Sequence, residues 1–237
     1  MNIEIITDGL SKRYGKFLAL DDVSLKIGPG VFGLLGRNGA GKTTLLRILA
    51  TLLPKTGGMA TVCGADISET KTLRPLIGYL PQEFSFYPNM FVDEALDYLG
   101  LLSGVSRDVR KERIPELLNR VNLFDERRKR IRALSGGMKR RFGMAQAIIH
   151  NPAVLIVDEP TSGLDPVERV RFRAMLGDMA ENRIVILSTH IVEDVEKLCD
   201  HLAILDKGAV VFDGVVTGLT KGGATLEEAY LQLIGEG

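Results

Sequence analysis

Residues 36–44, Gly-Arg-Asn-Gly-Ala-Gly-Lys-Thr-Thr, constrain this chain more than any other segment. They fit the spacing G-x-x-x-x-G-K-[ST], with Gly36, Gly41, Lys42 and Thr43 in the defining places. The apolar run 31–35 before them reads as a buried strand, and 44–53 after them as a helix. Strand, glycine-rich turn and helix in that order make a phosphate cradle. Without a Cβ at the glycines, consecutive backbone N–H groups can turn inward on a polyphosphate. The helix N-terminus adds partial positive charge. The sequence therefore predicts nucleoside triphosphate binding by Gly36, Arg37, Asn38, Gly39, Ala40, Gly41, Lys42, Thr43 and Thr44. Lys42 is expected at the β/γ-phosphates and the Thr43 hydroxyl on Mg2+.

The rest of the chain alternates. Residues 3–7 and 17–27 have strand patterning, with a turn at 14–16, and 56–62 and 77–80 read as further strands. Between 93 and 122, Ala95, Leu96, Leu99, Leu117, Leu118 and Val121 recur at helical spacing. This marks a helical insert, closed by the basic stretch 127–130. Helix resumes after Gly137, strands return at 154–157, 184–187 and 203–205, and 226–234 reads as an amphipathic tail helix. The predicted fold is α/β. It comprises a phosphate-loop NTPase core with a mostly parallel sheet, an N-terminal antiparallel β subdomain and an inserted helical subdomain. One domain is expected over residues 1–237, divided near 1–84, 85–145, 146–215 and 216–237. Thirty basic residues balance thirty acidic ones, so no global field favours nucleic acid. No apolar run approaches the ~20 residues of a membrane span, and the start has no leader-like pattern. Cys63 and Cys199 stand far apart without metal-ligand spacing, which suits a reducing, cytoplasmic setting.

Residues 153–159, Ala-Val-Leu-Ile-Val-Asp-Glu, form a buried strand ending in two carboxylates. Beside a phosphate loop, the last strand residue, Asp158, holds Mg2+ through water. Glu159 then stands where a water could be polarised for in-line attack. Alone, such an acidic pair reads as a solvated turn. A third segment, 134–138, offers Ser135 as helix N-cap and exposes the N–H groups of Gly136 and Gly137, a second anion site.

Phosphate loop, Leu-Ser-Gly-Gly and Asp-Glu, in this order, resemble the ATP-binding subunit of an ABC transporter, over essentially the whole length. The resemblance implies that Tyr14 stacks on adenine and that Gln82, in Leu80-Pro81-Gln82-Glu83, senses Mg2+ and the attacking water. It implies that Asp165 sits in a loop crossing a dimer interface, and that His190 contacts the γ-phosphate. Read alone, Tyr14 is a turn aromatic, Gln82 a loop polar residue and His190 a loop histidine. Asp165 also fits a helix start, with Pro166 at N1 and Glu168 at N3. His150 and His201 match no motif, and the basic runs 127–132 and 139–141 read as solvated. Met138 stands where glutamine is common in the family. Phe91 stands where a threonine N-cap is common, leaving Asn89 or Asp93 to substitute.

By the same resemblance the chain would be a Mg2+-dependent ATPase motor subunit. Glu159 would act as general base, with His190, Lys42 and Gln82 around the reacting phosphate. Thr43, Gln82 and Asp158 would hold the metal. Ser135, Gly136, Gly137 and Asp165 would complete the site of a second ATP-binding subunit, a homodimer being expected. Separate integral membrane subunits would dock on the groove between the core and the helical insert, near Gln82 and 83–100, on the inner face of the cell membrane. No further regulatory domain is expected at the C-terminus. The blocks 137–141 and 159–166 are similar to those of bacterial exporters of antibiotic, polysaccharide or lipid type. Two other classes stay open: a non-transport ABC ATPase, such as one in cofactor assembly, and a nucleotide-gated clamp without hydrolysis. Intact Glu159 and His190 argue against the clamp.

Overall fold

In a computed structural model describing residues 2–220 and 223–235, the chain forms two sheets. The first is antiparallel, in the order β2 (Phe17–Ile27), β1 (Ile5–Tyr14), β4 (Gly57–Val62), β5 (Ala65–Asp66). β1 runs through Tyr14 rather than stopping near Thr7 as its sequence pattern suggests. The reason is a bulged stretch in which Gly9 takes a φ of 59° and the pairing with β2 shifts between Thr7 and Leu10. That bulge breaks the two-residue alternation without ending the strand.

The second sheet has the order β10 (Ala209–Val215), β9 (His201–Asp206), β3 (Gly30–Leu35), β8 (Ile184–Thr189), β7 (Val154–Asp158), β6 (Ile77–Leu80). β3, β6, β7, β8 and β9 pair in parallel, and β10 joins β9 antiparallel. β7 and β8 are buried along their whole length, which is why they read as continuous apolar runs. Their alternate residues feed two cores. Leu155, Val157, Val185 and Leu187 face one, and Val154, Ile156, Ile184 and Ile186 the other.

Helix α1 (Lys42–Leu49) packs in the second of these cores through Leu45, Leu46, Ile48 and Leu49. The helical insert joins the first core through α3 (Val92–Leu102), α4 (Arg107–Arg120) and α5 (Gly136–Ile148). A short helix, α2 (Thr70–Leu73), precedes β6. After β7 come α6 (Pro166–Met179) and, beyond β8, α7 (Val192–Leu198). The short α8 (Val216–Leu219) and α9 (Leu226–Leu233) close the chain.

Without a threonine cap, the start of α3 is satisfied in another way. The Val92 and Asp93 N–H groups donate to the Lys129 and Arg127 carbonyls, and the Glu94 carboxylate accepts from the Phe91 N–H. Asp93 takes the Glu94 N–H at 2.9 Å, whereas Asn89 offers only its carbonyl, to Arg130. The basic runs therefore divide. Arg128, Lys129, Arg130 and Arg132 are exposed as expected, but Arg140 and Arg141 are half-buried. Their guanidinium groups donate to loop carbonyls that lack strand or helix partners.

Candidate functional site

Four parallel strands end together. Leu35 of β3 pairs with Thr189 of β8, Asp158 of β7 with Ser188, and Leu80 of β6 with Val157. The segments holding Gly36, Gln82, Glu159 and His190 all leave from that carboxyl edge, where open α/β sheets bind ligands. The 36–44 turn is held between neighbours. The Gly36 N–H donates to the Thr189 carbonyl at 3.3 Å, and the Gly208 N–H to the Ala40 carbonyl at 2.9 Å. A Cβ on Gly36 would lie 2.4 Å from the Leu205 carbonyl oxygen, so only glycine fits there. Gly41 has a φ of 107° and opens α1.

Beside this turn lies a buried string of charge. The Lys42 ammonium donates to the Gly36 and Arg37 carbonyls at 2.6 and 3.1 Å and sits 3.3 Å from Glu159 Oε1. Glu159 Oε2 lies 2.6 Å from His190 Nδ1. Lys42 and Glu159 are nearly inaccessible to solvent, while His190 reaches the surface. Glu159 has a φ of 48°, a left-handed conformation rare for a side-chain-bearing residue. Its N–H donates to the Ser188 carbonyl, which holds it there. Backbone strain concentrated on such a carboxylate is a mark of functional sites.

Asp158 is fully buried, and both its carboxylate oxygens lack a hydrogen-bond partner. The Ser188 hydroxyl is likewise unpartnered. Burial pushes the Asp158 pKa up; the hydroxyls of Thr43 and Ser188 face it and oppose the rise without reaching hydrogen-bond geometry. A buried, unpaired carboxylate is costly unless something pairs with it. With the Thr43 hydroxyl facing it, this carboxylate suits a hard cation that takes its other ligands from phosphate and water. Among the described residues, no group of three or more His, Cys, Asp or Glu is placed to hold a metal by protein ligands alone.

A cleft of about 420 Å3 lies over the turn, lined by Tyr14, residues of the 36–44 turn, Gln82 and Glu159. Phe17 and Ala19 line it too. Sequence reasoning missed Phe17, although it is the cross-strand partner of Tyr14 and starts β2. An aromatic placed across a tight turn from Tyr14 was the available signal. Tyr14 is half exposed with the Lys12 ammonium 5.1 Å from its ring centre, and Phe17 is more exposed still.

The Ser135 loop does not line this cleft. Ser135 caps α5 through the Met138 N–H at 3.2 Å, and Ser135 and Gly136 are exposed. Asp165 caps α6, accepting from the Val167 and Glu168 N–H groups at 3.0 and 2.9 Å. Glu168 does not complete a capping box; it pairs with Arg171 and Arg141 instead. The two loops adjoin, since a Cβ on Gly137 would lie 3.0 Å from Glu168 Oε2. One chain thus presents two separate features, the cleft over the 36–44 turn and an adjoining pair of helix starts.

His150 is half-buried, with its Nε2 at 3.1 Å from the Ile77 carbonyl oxygen, and burial lowers its pKa; it lies away from the cleft. A larger groove, about 710 Å3, runs between α3 and α4 and is lined by Met90, Tyr98, Leu101, Leu118, Phe124 and Arg127, among others. It takes in part of the 83–100 segment but not Gln82, because α4 and Phe124 close its other side. None of the helices among the described residues is long and apolar enough to cross a membrane.

The ABC transporter family model matches residues 20–162. The chain is 42% identical over 208 residues to the uncharacterized ABC transporter ATP-binding protein YxlF of Bacillus subtilis, covering 87% of this chain and 69% of that one. Identity to the linearmycin resistance ATP-binding protein LnrL of Bacillus subtilis is 36%, covering 97% and 75%. Identity to the Nod factor export ATP-binding protein I of Cupriavidus pinatubonensis is 40%, covering 86% and 63%. The chain thus spans roughly two thirds of the length of these relatives. A solved structure described as the ATP binding subunit of an ABC transporter superposes with a TM-score of 0.87 at 27% identity, over 97% of this chain and 98% of that one.

Proposed function

The chain belongs to the ABC transporter family as an ATP-binding subunit, and from that premise we propose how its own residues perform the work. The family couples ATP hydrolysis to transport, and its ATP-binding subunits act with membrane subunits. The reading rests chiefly on the buried Lys42–Glu159 pair and the His190 ring that reaches it from the surface, at the mouth of the 36–44 turn. Glu159 is the general base: its carboxylate takes the proton of the attacking water. His190 Nδ1–H donates to Glu159 and fixes the orientation of that carboxylate. Lys42 stabilises negative charge on the transferred phosphoryl group, and the Gly36–Thr44 backbone positions it. Tyr14 and Phe17 hold the base at the open end of the cleft. Asp158, Thr43 and Gln82 would hold Mg2+, which when bound would neutralise the charge of the phosphates.

The exposed Ser135–Gly137 helix start and Asp165 serve the phosphates of a second copy, giving a homodimer with shared sites. Val167 and Val170, both exposed on α6 just after Asp165, would be covered in that pairing. The groove between α3 and α4 receives the membrane subunits, placing the chain on the inner face of the membrane. The segment 85–145 is then the docking subdomain between the phosphate-turn part, 1–84, and the core, 146–215, with 216–237 as a tail. Relatives whose names specify Nod factor export and linearmycin resistance favour an exporter. A balanced net charge favours no nucleic acid partner. Phosphate release by the purified chain tests the reading. We expect Mg2+-dependent turnover that Asp158→Asn and Thr43→Ala abolish; turnover that persists in EDTA contradicts it.

A further inference from the structure

Arg140 lies on α5, five residues beyond Ser135, and lines none of the nucleotide cleft. Its guanidinium makes two bonds to backbone in two different loops. Nη1 donates to the Gln82 carbonyl at 2.9 Å, and Nη2 to the Ser162 carbonyl at 3.3 Å. The same group lies 5.6 Å from the Phe84 ring centre. Half-burial works against its charge, while the charge of Glu159 works for it. A planar guanidinium can address two carbonyls from fixed directions at once; an ammonium on a flexible stem cannot do so with the same geometry.

The loop from Glu159 to Asp165 is held from a second side as well. The Thr161 hydroxyl donates to the fully buried Asp194 carboxylate, which also takes Arg173 at 3.0 Å. Asp194 is on α7, which follows His190. The Ser162 carbonyl is therefore tied to the helix that begins at Ser135, and the Thr161 side chain to the helix after His190.

We propose that Arg140 is a positioning residue for hydrolysis: it fastens the Gln82 loop and the Ser162–Asp165 loop to the Ser135 helix, so that the three move as one. This rests on the reading of Gln82, Asp165 and Ser135 as parts of a shared ATP site. Displacement of the Gln82 loop is then passed to the Asp165 loop through one side chain.

The test is made on the full chain with Arg140→Gln and Arg140→Lys. Hydrogen exchange is followed at 82–86 and 160–165, alongside kcat and KM for ATP. Both loops should exchange about tenfold faster, while α5 and α1 keep their protection. kcat should fall about 10–100-fold with KM within about twofold, because Arg140 reaches the cleft only through the Gln82 backbone and the 36–44 turn keeps its own contacts, so alignment is lost more than binding. Lysine should not rescue. Loosening of neither loop or of one alone overturns the proposal. So does an unchanged kcat once both loops are loose, or a loss of protection in α5, which would make Arg140 a prop for the fold. Exchange needs no turnover, so a chain that failed to hydrolyse ATP would refute the ATPase reading while leaving this inference to the exchange result.

Discussion

Lys42→Met removes a buried cation whose ammonium has three contacts: two carbonyl oxygens and the Glu159 carboxylate. Only 4% of the Lys42 side chain and 5% of the Glu159 side chain are accessible, so solvent screens the pair poorly. Removing one member of such a pair costs about 3–5 kcal/mol, because the other charge stays buried. His190 remains as a partner of Glu159, and methionine fills the lysine stem, so the lower end, about 3 kcal/mol, applies. For a domain of this size that is a fall in Tm of about 6–12 °C. Glu159→Gln should cost less, about 1–2 kcal/mol, since Lys42 retains the Gly36 and Arg37 carbonyls. The double variant removes both charges of the pair and should lose about 2 kcal/mol less than the sum of the singles. Thermal melts of the four proteins without nucleotide at pH 7.5 give the cycle. Additive losses, or a Lys42→Met variant that melts with the wild type, would refute the argument.

Tyr14→Ala and Phe17→Ala should each weaken ATP about 5–10-fold in a fluorescence titration, and weaken GTP similarly, because stacking is tolerant of the base. If Tyr14→Ala alone had an effect, Phe17 would be only a neighbour. Burial raises the Cys199 pKa to about 12, from an ordinary 9.0. A raised thiol pKa contributes stability that is intact below pH 9 and is lost as pH climbs toward 12, while the unfolded chain ionises first. The wild type should therefore lose about 2 kcal/mol more than Cys199→Ala between pH 8 and 10.5, read from melts; parallel curves would contradict this.

The phosphate turn, the acidic strand end and the parallel sheet were legible because each follows from local chemistry. Glycines at 36 and 41, apolar runs in β7 and β8, and caps at Ser135 and Asp165 all point to the structure found. What escaped depended on distant partners. β10 alternates between half-buried and exposed residues at a sheet edge, so its pattern is weak. The roles of Arg140 and Arg141 are set by carbonyls 19 to 58 residues away, which no charge pattern reveals. The missing cap at Phe91 is made good by backbone of 127–129, again a tertiary effect. The orphaned carboxylate of Asp158 becomes visible only once Thr43, Ser188 and Glu159 are brought around it.

In the proposed dimer the cradle of one chain is completed by the Ser135 surface of another. Light scattering of Glu159→Gln, with and without Mg2+ and ATP, tests it directly. A monomer without nucleotide and a stable dimer with it are expected, because the variant keeps the cradle and the Ser135 loop but loses the carboxylate proposed to activate water. The dimer should be lost again in a Glu159→Gln/Ser135→Arg variant that still binds ATP. A Glu159→Gln protein that binds ATP and stays monomeric, or that turns it over at the wild-type rate, would rule out the shared site and the role of Glu159.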